Sequence, residues 1–326
     1  MKKIALLMIL PFLAMSVFAD EIIGAETTSE VYLQLSTLPE AKLGFTQTFK
    51  FPFLSLDNPL MSGNNIKFSL TGEITPVSMN GSFKTVLTPI AFLEFSTGGL
   101  IGGGWPLELG GWLYGTGLNL PKFNVSDNGF YEEYKGGALD AIHLKFFAGG
   151  TFQFDFAAIF PGDWNHVVML SYHEINYFHN TSALAGQGWY YEADDGENRN
   201  SWNYYGNIVL GYQMPQKPIF LQMIAFMAEM KQYLSDFEDG AGNVVDRGLW
   251  GDDLIRWELA NILNFEFTDQ FSVAVITQFR TRRNFTNYDE HKAKEPYMHY
   301  QNRILDKDDP LRIEFYRVAG IISYKF

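Results

Sequence analysis

Tyr316-Arg317-Val318-Ala319-Gly320-Ile321-Ile322-Ser323-Tyr324-Lys325-Phe326 closes the chain. Taken at every second position, Tyr316, Val318, Gly320, Ile322, Tyr324 and Phe326 share one face of an extended strand. Lys325, Ser323, Arg317 and Glu314 carry the polarity of the segment elsewhere. In water a strand gains nothing by ending on an aromatic ring. At a bilayer it does, because the ring sits in the interfacial belt where a membrane strand stops. The expected fold is therefore all-β: a closed antiparallel transmembrane β-barrel.

This ending resembles the C-terminal assembly signal of Gram-negative outer-membrane β-barrel proteins. The resemblance implies that Tyr316, Val318, Gly320, Ile322, Tyr324 and Phe326 address the chain to the barrel-assembly machinery. It also implies outer-membrane lipids and periplasmic chaperones as partners. The other end of the chain agrees. Lys2 and Lys3 precede an apolar run from Ile4 to Val17, and Val17-Phe18-Ala19 offers a cleavage site before Asp20. Such a run is shorter than the ~20 residues of a spanning helix and matches a cleaved secretory signal. Residues 1–19 are expected to be a signal peptide for Sec-type export, and 20–326 a single barrel domain in the outer membrane of a diderm bacterium.

Composition narrows the function. No cysteine is present, so disulfides and thiolate metal sites are excluded. Aromatic residues reach 16%, with 29 Phe and 17 Tyr, a content suited to a lipid-facing surface with aromatic girdles. The formal net charge is −13 and becomes −15 once Lys2 and Lys3 are removed. With no basic stripe to neutralise phosphates, nucleic acid is not an expected partner.

Period-two alternation recurs along the chain. Trp202, Tyr204, Gly206, Ile208, Leu210 and Tyr212 oppose Ser201, Asn203, Asn207 and Gln213. Likewise Trp257, Leu259, Leu263 and Phe265 oppose Arg256, Glu258, Asn264 and Glu266. Between Ala138 and Phe160, Gly149-Gly150 invites a hairpin turn. Yet Ile142, Leu144, Phe146, Ala148, Phe152, Phe154 and Phe156 keep one parity across the glycines. A hairpin need not preserve phase and a continuous strand must, so one long strand is expected there.

That reading gives about twelve strands, near 29–37, 41–53, 64–78, 82–97, 104–120, 138–160, 166–180, 201–214, 217–234, 254–268, 271–286 and 312–326. Short links at 161–165, 215–217 and 268–270 alternate with long polar ones at 121–137, 181–200, 235–253 and 287–311. The pattern places both termini in the periplasm. The glycines around 102–117 are expected to bend the wall.

Function should sit on the inner face, which on this phasing receives Lys42, Lys50, Lys67, Glu73, Lys145, Asp155, Arg256, Glu258, Glu266, Arg280, Arg282, Arg317 and Lys325. Charged rungs across a pore filter solutes by charge. The expected function is a passive pore or small-solute uptake channel, with Arg256, Glu258, Glu266, Arg280, Arg282 and Arg317 setting selectivity. A closed structural or surface-exposed barrel, or an adhesin, is the alternative. Ser171 and His173 share a strand face, as a base-activated nucleophile would require. They loosely resemble the outer-membrane phospholipases, although there the His precedes the Ser. A hydrolase is thus the weaker alternative, and no enzyme activity is expected. Acidic segments at Glu192–Gly196 and Asp236–Gly240 lack the spacing of a calcium loop, so no metal or cofactor is expected.

Overall fold

The computed structural model describes residues 25–38, 40–58, 60–109, 141–183, 189–191, 198–215, 220–235, 253–286 and 304–326, with isolated positions and short strands between them. The proposed signal peptide and both calcium-loop-like segments fall outside the described residues, apart from Phe237–Glu238. Twelve strands form one closed antiparallel barrel. They are β1 (Glu26–Ser36), β2 (Glu40–Pro52), β3 (Asn65–Ile74), β4 (Ser78–Ile90), β5 (Leu93–Gly104), β6 (Ile142–Asp155), β7 (Val167–Asn180), β8 (Ser201–Gln213), β9 (Leu221–Tyr233), β10 (Arg256–Glu266), β11 (Phe271–Arg283) and β12 (Leu311–Lys325).

Each strand pairs with its sequence neighbour, and β12 pairs with β1 to close the ring, Glu30 facing Lys325 and Ser36 facing Ala319. The seam extends to the last residue: Phe326 N donates to Ser29 O at 2.9 Å, and Ser29 N donates to Phe326 O at 3.0 Å. A closed ring leaves no unpaired strand edge. The outer face carries Leu33, Phe83, Phe146, Ile175, Leu210, Phe226, Leu259 and Ile322, all exposed. A continuous apolar exterior on a closed barrel is covered by lipid, so the chain is a transmembrane barrel of the outer-membrane type.

The strand through Gly149-Gly150 is single, running from Ile142 to Asp155 and ending in a 3₁₀ turn at Phe156–Ala158. Gly149 is there for close packing rather than for a turn. A Cβ on it would lie 2.9 Å from the Tyr172 ring and 2.5 Å from the carbonyl oxygen of His173. Its missing side chain lets the Tyr172 ring lie flat against the inner wall.

Three expectations need correction. The strand count is right, but two strands lie elsewhere: in place of 82–97 and 104–120 the barrel has 78–90 and 93–104. A two-residue link at Ala91-Phe92 joins them, with no Gly, Asn or Asp to signal a turn. Gly98, Gly99, Gly102 and Gly103, which fall between the expected strands, are inside β5. At Gly98 a Cβ would meet the Phe147 ring at 2.6 Å, so again the glycine makes room for an aromatic. The long excursion is consequently 105–141, not 121–137.

Links also divide less cleanly than expected. The start of β1 and the end of β12 lie at one end of the barrel, with links 53–64, 91–92, 156–166, 214–220 and 267–270. The other end holds the long links 105–141, 181–200, 234–255 and 284–310, but also tight turns at 37–39 and 75–77.

Finally, the alternating face does not reach Tyr316. Arg317 opposes Gln278 whereas Phe315 opposes Phe279, so β12 carries one extra residue between them. Such a bulge reverses the phase beyond it. Val318, Gly320, Ile322 and Tyr324 remain outside, and Tyr316 turns into the barrel.

Candidate functional site

Strand alternation and register together decide what faces the lumen. On β10 and β11 the even residues point inward, pairing Glu258 with Arg280. The same rows continue to Lys231 beside Arg256 on β9 and to Glu314 beside Arg280 on β12. Of these, Lys231, Arg256, Glu258 and Arg280 line one cavity of about 460 Å³ at the long-loop end of the barrel. Of the residues expected to set selectivity, Arg256, Glu258, Arg280, Arg282 and Arg317 line it. Glu266 does not. It is the last residue of β10, ten residues or about 33 Å of strand from Arg256, at the opposite mouth.

Lys42 and Lys145, expected on the inner face, line the same cavity, and so does Lys231. Lys231 escaped the sequence reading because Ile219–Met230 is apolar on both faces and shows no alternation. Seven cations therefore face the cavity, against Glu40 and Glu258 among the acids.

The partners that hold them stand mostly behind or beside. Lys145 Nζ lies 2.6 Å from Glu174, Lys231 Nζ 2.6 Å from Glu258, and Arg280 Nε 2.9 Å from Glu314. Arg317 pairs with Glu40, and its Nε donates to Gln278 at 2.7 Å. Lys42 is 3.7 Å from Glu73, which also accepts the Tyr32 hydroxyl. Glu174, its side chain only 5% exposed, accepts further bonds from Tyr172 at 2.6 Å and Asn176 at 2.8 Å. Carboxylates saturated in this way fix the cations in place. The arginines are held over aromatic rings as well: Arg256 lies 5.4 Å from the Tyr233 centroid, and Arg317 4.8 Å from that of Tyr316.

Part of the link after β7 folds into this mouth. Trp189 is fully buried, packing against His143 at 5.0 Å and Phe178 at 6.4 Å. Its indole Nε1 donates to Asn200 Oδ1 at 3.1 Å, and the same oxygen accepts the Asn180 backbone N–H at 2.6 Å. Tyr191 follows and reaches the cavity. No periodic pattern marked these residues. Their one signal was a Trp-Tyr-Tyr run within an otherwise polar link.

Ser171 and His173 lie on the outer face of β7. Ser171 Oγ is 3.0 Å from His173 Nε2, and His173 Nδ1 is 2.7 Å from the Tyr204 hydroxyl on β8. His173 stands in a row between Gly150 and Gly206. At 306–309 the acids serve the backbone, Asp306 Oδ1 accepting the N–H groups of Asp308 at 3.0 Å and Asp309 at 3.3 Å, an Asx turn that leads into β12.

No protein-family model and no curated protein matches the sequence. Among solved structures, the KdgM porin is similar at a TM-score of 0.37 and 7% identity, over 92% of this chain and 99% of that one. The outer membrane protein Omp33 of Acinetobacter baumannii gives 0.34 and 9%, over 93% and 98%. The translocator domain of the autotransporter NalP from Neisseria meningitidis gives 0.36 and 9%, over 99% and 95%. Scores this low leave the barrel assignment resting on the chain's own register and exterior.

Proposed function

We propose that the protein is an outer-membrane channel for small solutes that favours anions, with its long loops outside the cell and both termini in the periplasm. One observation carries this reading: the lumen holds a cavity of about 460 Å³ lined by seven cations, five of them held by Glu40, Glu73, Glu174, Glu258 and Glu314, so the cations remain in excess of these carboxylates. Fixed positive charge between low-dielectric walls draws anions and repels cations. Lys145, Arg280 and Arg317 are bound to strand residues, so the field does not relax as a solute passes. Export by the Sec route, delivery by periplasmic chaperones and insertion by the assembly machinery belong to the same reading. That part rests on the outward aromatics at Tyr324 and Phe326. Conductance in planar bilayers is the test, and a barrel that carries no current is structural or adhesive instead.

The Ser171–His173–Tyr204 contacts favour a second reading, a lipid hydrolase acting at the outer wall. Nucleophile and base are within hydrogen-bonding distance. Release of fatty acid from phospholipid vesicles, abolished by Ser171→Ala and His173→Ala, would select it.

A further inference from the structure

The lumen is not polar all the way round. Below the cationic cavity, towards the barrel end that holds the termini, the inner rows of β7 to β12 turn apolar. Following the register across neighbouring strands, Val168 opposes Gly211, Gly211 opposes Ala225, Ala225 opposes Ile262, Ile262 opposes Ile276, and Ile276 opposes Ala319. Met223 and Met227 flank this row on the same face of β9. The facing wall, from β2 and β3, is hydroxylic: Thr46 pairs with Thr71 and Thr48 with Ser69, each at 3.0 Å. A pore for hydrated ions has no use for a six-strand apolar strip on its inner surface. Small residues there are covered, Ala225 fully and Ala319 almost so. Met223, Met227, Ile262 and Ile276 are only half-buried, so apolar surface still faces the lumen.

The strip is in register with the charges above it. Met227, Ile276 and Ile321 each lie four residues, about 13 Å of strand, below Lys231, Arg280 and Arg317 on their own strands. Resting on the channel reading above, we infer that the solute is an anionic amphiphile, an aliphatic carboxylate whose head meets the cations while its chain lies along the apolar strip. The hydroxylic wall then faces the side of the chain where water remains. Burial of a methylene favours binding by a factor of about four when complete, so the strip reads chain length.

The test uses the full barrel in lipid nanodiscs, with ¹³C-methyl methionine as the reporter and sodium octanoate as the probe. Met223 and Met227 face the lumen, whereas Met169 and Met230 face lipid. Octanoate should shift Met223 and Met227 saturably, and shift Met169 and Met230 only in proportion to what dissolves in the bilayer. Acetate should shift none of the four. Half-saturation should fall about two- to fourfold per added methylene from butyrate to octanoate, and rise about tenfold in Ile262→Gln with Ile276→Gln. Lumenal methionines that fail to saturate, or affinity independent of chain length, would overturn the inference. KCl conductance of the same protein in planar bilayers separates the two readings. Current without saturable shifts leaves a channel for other solutes, while saturable shifts without current leave an amphiphile site in a barrel that does not conduct.

Discussion

The guanidinium carbon of Arg280 lies 4.0 Å from the centroid of the Tyr316 ring. Tyr316 is the residue that the bulge in β12 turns away from lipid. A residue of the expected assembly face thus braces the cations of the cavity instead. A cation–π contact of this kind stabilises by about 0.5–2 kcal/mol. Tyr316→Leu should therefore leave assembly near normal, as judged by the share of heat-modifiable barrel in outer-membrane fractions. Its single-channel current should become noisier as Arg280 and Arg317 lose their platform. Assembly failure equal to that of Tyr324→Ser would show that Tyr316 acts on the outside after all.

Deleting Phe326 should have the opposite profile. Its backbone makes two hydrogen bonds with Ser29 across the β1–β12 seam, and its exposed ring ends the outer face. Without it most folded barrel should be lost from the membrane fraction, while an equal deletion in the 306–310 turn is tolerated. Normal levels of folded protein after deletion would contradict the assignment.

Gly149 and Gly150 give a sharper test of the single long strand. A Cβ at Gly149 collides with Tyr172 and with backbone, whereas one at Gly150 meets nothing closer than 3.7 Å. Gly149→Ala should destabilise by about 1–3 kcal/mol. Gly150→Ala should be neutral or stabilising by up to about 1 kcal/mol, because Ala loses less backbone freedom in a strand. Denaturant unfolding of the refolded barrel measures both. A turn at these residues would make the two substitutions alike.

Ion pairs inside the lumen and at its rim should differ as well. Lys145→Met strands the buried Glu174 carboxylate, a loss of about 3–5 kcal/mol. Lys50→Met breaks the exposed pair with Glu26, 2.7 Å long, and should leave the unfolding midpoint unchanged. Equal effects would mean that the lumenal pairs are as well solvated as the rim.

How much of this could be read beforehand depended on which force shaped each element. Alternation records a wall with lipid on one side and polar groups on the other, so the continuous strand across Gly149-Gly150 and the lumenal places of Arg256, Glu258, Arg280, Arg282 and Arg317 were legible. It is silent where both faces are apolar, which hid Lys231 and the apolar strip in β9. The glycines of β5 misled because the same residue serves turns and close packing, and only the Phe147 ring across Gly98 tells which. The bulge at Tyr316 depends on register with Gln278 and Phe279, a long-range relationship absent from local sequence. Trp189 was out of reach for the same reason: its burial depends on His143 and Phe178, residues on two separate strands.

Reversal potential under a KCl gradient across a planar bilayer tests the central claim most directly. Wild-type barrel should reverse at a potential of the sign set by chloride. Replacing Arg256, Arg280, Arg282 and Arg317 with Gln should move the reversal towards potassium, because the five carboxylates paired with the lumenal cations, Glu40, Glu73, Glu174, Glu258 and Glu314, then outnumber Lys42, Lys145 and Lys231. The difference should shrink at high salt as the fixed charges are screened. A reversal potential identical in the two proteins, or no conductance from either, would contradict the account.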